Sequence, residues 1–429
     1  MFKPGDPARF GDAVKHVELS DDGDVWASFG AEVRIRGEYW RNFNFLNGSA
    51  GDDELVLSRV LAHVDLYVGD HLRAFVEGKS ALASDRDLPG GRRTSDVNAL
   101  DLQNAFVEFD AELGEDAHLT LGAGRHEWQF GRGRIVGYSN FSNSSRSTDG
   151  FYGVFRHDDL TLTGLWARQP LTQKYRFDDG NGGRTIYGVY GEYAYACEFA
   201  AGQVDAYWLG LERPSASFNG DSGEERRQTL GLRIAGKLAD APFDYEVETA
   251  WQFGEVGEAD ARAYYIALEL GYTFKDVWAT PRVYGTFDMG SGDDDAGDGD
   301  VETWSTGLAA AHSALGITDM VGRQNIIDTS LGVSFTPHKK WKVAGEVHHF
   351  QRQSTSDAMY DSGGRVLFAG SASDARELGQ ELLLRVTFKA TEQLTFNLGA
   401  AHFIAGEFID EAGGADSMQF VYLEGTWKF

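Results

Sequence analysis

Polar and apolar positions alternate along this chain. From Val25 to Tyr39, the residues Val25, Ala27, Phe29, Ala31, Val33, Ile35 and Tyr39 fall on one face, and Ser28, Glu32, Arg34, Arg36 and Glu38 on the other. A period of two held this long predicts a β-strand, because a helix would mix both sets on every turn. The next segment repeats it, with Val56, Val60, Ala62, Val64, Leu66 and Val68 against Arg59, His63 and Asp65. Gly69-Asp70 then predicts a tight turn into a third strand, where Leu72, Ala74 and Val76 oppose Arg73, Glu77 and Lys79. The chain ends on such a strand: Val421, Leu423, Gly425, Trp427 and Phe429 share one face, and Glu424, Thr426 and Lys428 the other.

Short and long breaks alternate between these segments. Tight turns are predicted near 69–70, 114–116, 157–159, 200–202, 239–241, 274–276, 336–338 and 389–391. Longer polar stretches fall near 42–53, 84–98, 132–148, 170–183, 213–225, 254–260, 290–324, 355–376 and 406–416. The pattern predicts an all-β chain: a transmembrane antiparallel β-barrel of about 18 strands, with short periplasmic turns and long extracellular loops. A terminal aromatic belongs at the bilayer interface of the closing strand. Residues 1–22 read as a polar lead-in and 23–429 as the barrel.

Composition narrows the alternatives. The chain has 53 Gly, 8 Pro and 13% aromatic residues, which suits a large sheet with aromatic girdles and a crowded lumen wall. Mean hydropathy is -0.35. No run of 18 apolar residues is present, so no transmembrane helix is predicted. A barrel shows lipid only every second residue, so its strands look polar on average. The one cysteine, Cys197, excludes an internal disulfide and a cysteine-based metal site. A formal charge of -27 argues against nucleic acid as a partner. The start, MFKPGDPARFGD, has no basic region followed by an apolar run, so an exported chain is expected here in mature form, its signal peptide absent.

On a barrel the polar face is the lumen. It carries Arg34, Arg36, Arg59, Arg73 and Lys79 among Glu32, Asp65, Glu77 and Glu108. Later strands add Arg156, Arg233, Lys237, Arg282 and Arg385 beside Glu246, Glu248, Asp288 and Glu381. Burying these charges dry would be costly, whereas lining water is not. Most are expected to pair across strands as wall structure, and surplus bases at a narrow point would select anions. The densest segment runs from Gly124 to Arg134 and on to Arg146, with Arg125, Arg132, Arg134 and Arg146 between a strand end and a long loop. The planar arginine fork suits carboxylates. The structural alternative is a loop folded inward and tied to the wall by salt bridges.

Other chemistry is weaker. Asp293, Asp295, Asp298 and Asp300 are dense enough to suggest Ca²⁺, though without EF-hand spacing, and a solvated acidic loop is the ordinary fate of such a run. No other cofactor is expected. An outer-membrane hydrolase is the rival of another class, since Ser139, Ser142, Ser144 and Ser145 follow His126 and Glu127, but in no nucleophile–base spacing. A soluble β-rich binding protein is the third reading.

Several blocks resemble one family, the alginate-export outer-membrane barrels. They are residues 61–77, 101–108, 124–134 with Asp149-Gly150, 311–319, 322–325, 378–382 and 402–408, in order along nearly the whole chain. The resemblance implies an 18-stranded barrel with a lumen narrowed by inward loops and lined by arginines that guide a uronate polymer. The expectation is a passive outer-membrane channel, not an enzyme, for an anionic saccharide or small acid. It would sit as a monomer in outer-membrane lipid, and export would require a periplasmic complex. A general or small-solute uptake porin is the alternative on the same fold.

Overall fold

The computed structural model describes residues 11–180, 183–239, 241–310, 312 and 314–429. Residues 1–10 of the lead-in, Asp240 of one expected turn, and Ala311 and Ser313 of one resemblance block lie outside them.

Long strands dominate. The first six are β1 (Val25–Arg41), β2 (Asp53–Val68), β3 (Leu72–Ala83), β4 (Asn98–Glu112), β5 (Ala117–His126) and β6 (Thr148–His157). Next come β7 (Leu160–Arg168), β8 (Thr185–Ala196), β9 (Ala200–Phe218), β10 (Asp221–Leu238), β11 (Phe243–Val256) and β12 (Ala259–Thr273). The last are β13 (Arg282–Gly290), β14 (Ile326–His338), β15 (Trp341–Gln351), β16 (Glu377–Lys389), β17 (Leu394–Ala405) and β18 (Ser417–Lys428). Each pairs antiparallel with the next, and β18 pairs with β1 from Arg41↔Gln419 to Glu32↔Lys428. The result is a closed barrel of eighteen strands with no free edge. A five-residue helix, Glu407–Glu411, sits in the last long loop.

The alternation becomes inside and outside. Ile35 is 56% exposed and Leu331 69%, while Arg34 and Arg36 beside Ile35 are buried. An apolar exterior of this extent calls for lipid, not water. Many glycines serve the packing of rings across strands. Tyr152 lies over Gly122, Tyr207 over Gly231, Tyr284 over Gly332 and Tyr422 over Gly399. A Cβ on Gly231 would come within 2.1 Å of the Tyr207 ring, so only glycine admits it.

Four expected breaks differ, the turn expected at 336–338 lying instead at 339–340, after a bulge that carries Pro337. The stretch 213–225 is not a loop: β9 and β10 run on to a two-residue hairpin at Asn219-Gly220, with a bulge between Arg213 and Ala216. Pro214 sits in that bulge, where its missing N–H costs no ladder bond. Near 254–260 the strands continue to a tight turn at Gly257-Glu258, with Gly257 at φ 63. The turn expected at 200–202 lies at 197–199, because alanines and glycine there give no side-chain pattern to mark where β9 begins. At the short-turn end, Val17–Glu18 pairs with Ala27 and Trp26 beyond the end of β18, and Gly11 packs on the Phe429 ring.

Candidate functional site

Residues 127–147, between β5 and β6, fold into the lumen and cross it. Arginines of the near wall hold the crossing by its backbone. Arg34 donates to the carbonyls of Asn140 at 2.7 Å and Ser142 at 2.8 Å, and Arg36 to that of Phe141 at 2.7 Å. Arg59 donates to Asn140 O at 3.2 Å and to Ser145 Oγ at 3.1 Å. Asn143, 1% exposed, donates to the carbonyls of Ser58, Leu82 and Asp96 at 2.9–3.1 Å. Across the lumen, Arg134 pairs with Glu246 and Glu248, and Arg132 with Glu246 and Glu269. Buried charges are kept only when paired in this way. A second long loop, between β13 and β14, meets the first: Val136 bridges to Leu308, and Arg146 donates to Ala309 O at 2.9 Å.

The loops divide the lumen. A cavity of about 860 Å³ lies toward the short turns, walled by β10 to β16, and another of about 360 Å³ lies toward the long loops. His312 borders both. Its ring stacks on Phe141 with centroids 3.5 Å apart and planes at 9°, and its Nδ1 is 3.1 Å from Asp319. Arg36 lies over the Phe141 ring, 3.9 Å from the centroid. The stack stands between the two cavities as the partition of the pore.

The larger cavity carries seven bases, Arg132, Arg134, Lys237, Lys275, Arg282, Lys342 and Arg385, against five acids, Asp244, Glu246, Glu269, Asp288 and Glu346. Its arginines are committed: Arg282 pairs with Asp244 and Glu269, and Arg385 with Glu346. Lys237, Lys275 and Lys342 are exposed and enter no salt bridge among the described residues. All three lie at or beside short turns, so the surplus positive charge gathers at that mouth.

The structure separates the residues expected along a solute path. Arg34 and Arg59 are 3% and 2% exposed under the crossing loop, so they anchor it instead of facing a solute, a correction whose cause is the loop's own unpaired carbonyls. Arg36 also anchors, but its side chain still borders the smaller cavity. Arg73 pairs with Asp65 and Glu108 on the open wall of β2 to β4. Glu77 there approaches His63 at 3.5 Å and accepts from Asn104. Lys79 is 3% exposed, beside Asp101, and Arg125 pairs with Asp101 and Asp149; neither lines either of the two cavities described above. Arg132, Arg134 and Arg385 line the larger cavity and Arg146 the smaller. Arg156 is exposed near the short-turn end, 3.4 Å from Thr120 Oγ1. The arginine-dense segment is thus split between wall, far wall and neighbouring loop.

Sequence reasoning missed the partition residues Phe141 and His312, and the mouth lysines Lys275 and Lys342. The only available signal for the lysines was their place beside short turns. In the acidic loop, Asp293 is 1% exposed, its Oδ1 accepts from the Asp295 N–H, and Asp298 accepts from that of Asp300. No three acidic, His or Cys side chains among the described residues are placed to hold a metal. Burial pushes the Glu127 carboxyl up to about 7, against donation from Gln103 at 2.6 Å. His126 packs on Trp128, and the Ser139 and Ser142 hydroxyls bond each other, so no nucleophile–base pair forms there.

Comparison with known proteins agrees with this architecture. A family model described as alginate export matches residues 25–422. No curated protein matches the chain. Similar solved structures include Pseudomonas aeruginosa OccK2 (OpdF) in complex with glucuronate, with 11% identity and a TM-score of 0.61 over 97% of this chain and 98% of that one. Pseudomonas aeruginosa OpdK with vanillate has 10% identity and a TM-score of 0.62 over 94% and 98%. Acinetobacter baumannii OccAB1 has 9% identity and a TM-score of 0.61 over 98% and 100%. At these identities the likeness is one of fold. Such barrels are channels, which removes the hydrolase and soluble-protein readings.

Proposed function

This chain belongs to the alginate-export family of outer-membrane β-barrel channels, and we propose that the solute it passes is an anionic saccharide. The observation that carries the proposal is the larger cavity, where bases outnumber acids and three lysines at the short-turn mouth have no carboxylate partner among the described residues. Clefts lined by a surplus of one sign concentrate the opposite ion. The arginines enter as paired groups whose forks hold carboxylates already, so a solute carboxylate exchanges with wall carboxylates and is released readily. Weak, repeated contacts of that kind suit conduction.

The cavity size favours short acids over a threaded chain as the solute within this state. About 860 Å³ lies in the range of small-molecule sites. A uronate, glucuronate, is bound in OccK2, a neighbour of the same fold. Passage of a polymer requires the Phe141–His312 stack to part, and export requires a periplasmic protein that delivers the chain. Reversal potential in a planar bilayer under a salt gradient tests the proposal. Anion selectivity, with current block by mono- or oligouronates, is expected; cation selectivity without block would overturn it.

A further inference from the structure

One wall of the lumen, away from the base-rich cavity, carries a row of aromatic rings. It starts at the short-turn rim, where Trp26 of β1 stacks on Tyr67 of β2 with centroids 4.0 Å apart and planes at 7°. Phe75 of β3 and Phe106 of β4 continue it at 5.3 Å, then His126 of β5 at 4.9 Å and Trp128 at 4.5 Å. Arg73 spans the gap between the first pair and the second, 5.4–5.6 Å from the Tyr67, Phe75 and Phe106 centroids. Cross-strand register puts these side chains on the inner face: Tyr67 lies opposite Trp26, and Phe75 opposite both Asp65 and Phe106. Trp26, Tyr67, Phe75, His126 and Trp128 are all half-buried, so each keeps a ring edge or face toward the lumen. The row rises from the rim to the root of the crossing loop.

We infer that this row is a saccharide-binding track, which takes the apolar face of a pyranose ring. A ring face is electron-rich and attracts the polarised C–H groups of such a sugar face. Hydroxyl partners stand beside it, as a binding site requires. Asp65 accepts from Tyr67 at 3.1 Å and from Arg73, and Glu108 accepts from Tyr152 at 2.8 Å. The Trp128 indole N–H, at the upper end, is itself buried and has no hydrogen-bond partner among the described residues, so this ring offers its half-buried face and not its N–H. Asp65, Glu77 and Glu108 outnumber Arg73 on this wall, so it does not attract the carboxylate of a uronate. The opposite, base-rich cavity does. A uronate would therefore lie with its ring on β1 to β5 and its carboxylate turned across the lumen. This orientation rests on the anionic-saccharide reading; the track itself does not.

The test is current block in planar bilayers by an oligouronate and by its carboxyl-reduced, neutral counterpart. Phe75→Leu and Tyr67→Leu keep the apolar bulk that barrel folding needs and remove the ring, and heat-modifiable migration in SDS verifies folding. Each is expected to weaken block by both sugars about 5-fold, the usual worth of one ring contact. Lys237→Gln with Lys342→Gln should weaken only the charged sugar. Block unchanged for both sugars in Phe75→Leu and Tyr67→Leu overturns the track. Loss of the neutral sugar's block alone in those variants, with no uronate block in the wild type, keeps the track and defeats the anionic reading.

Discussion

Freeing the crossing loop is the most direct test of how this pore is narrowed. Arg34 and Arg59 donate eight hydrogen bonds to residues 140–145, five of them at 3.2 Å or less. At about 1 kcal/mol net for each short bond, Arg34→Ala with Arg59→Ala removes about 5 kcal/mol of anchoring. The detached population of the loop then rises by roughly three orders of magnitude or more. Arg59→Ala alone removes three of the short bonds, or about 3 kcal/mol and roughly 100-fold. The barrel seam survives, since Glu32 retains Lys428 at 2.6 Å. Two readouts separate the possibilities. Amide exchange across 139–146 should quicken in the order wild type, single, double variant, and single-channel conductance should rise in the same order. If exchange quickens while conductance stays level, the loop is anchored as described but is not the constriction. If neither changes in a folded double variant, the arginine anchors carry no weight and the reasoning fails.

Other expectations follow from the same geometry. Phe141→Ala should raise conductance by opening the partition between the two cavities; an unchanged value would place the narrow point elsewhere. Replacing Lys237, Lys275 and Lys342 by Gln leaves four bases against five acids in the larger cavity and should turn its preference toward cations. That shift should fade at about 1 M salt, where screening acts within about 3 Å. Burial, reinforced by Asp357, raises the Asp293 carboxyl from 3.8 to about 6. The folded loop therefore holds the proton that the unfolded one gives up, and the contribution of Asp293 to its stability is full below pH 3.8 and is lost as pH rises through about 6. Protease nicking within 291–303 should accordingly increase over that window, and Asp293→Asn should abolish the trend. Gly231→Val, with its Cβ 2.1 Å from the Tyr207 ring, should prevent barrel assembly, read as loss of the heat-modifiable band.

The barrel was legible because lipid outside and water inside enforce alternation residue by residue. Glu32, Arg34 and Arg36 face inward in the structure as their spacing predicts. The same signal fails where the apolar face is short. Beyond the membrane, 213–225 reads as loop but pairs as the ends of β9 and β10; Ala216 and Phe218 alternate into a small buried cluster with Val256 and Val301, but Arg213-Pro214 before them and Asn219-Gly220-Asp221 after them read as loop. The candidate site was legible only as an inventory of charges. That inward-facing arginines exist follows from the alternation, but whether each meets a solute depends on what covers it.

Sequence alone therefore determined the all-β barrel, its count of about eighteen strands, the inward polar face and the family resemblance, since these rest on local periodicity and on blocks of residues in order. Tertiary structure decided the rest. Arg34 and Arg59 became anchors because residues more than eighty positions away, Asn140 and Ser142, brought their unpaired carbonyls to them. Phe141 and His312 became a partition because two loops distant in sequence meet inside the lumen. The row from Trp26 to Trp128 exists only where five neighbouring strands lay their rings side by side. Contacts of this range leave no period in the chain, so only the closed barrel brings them together.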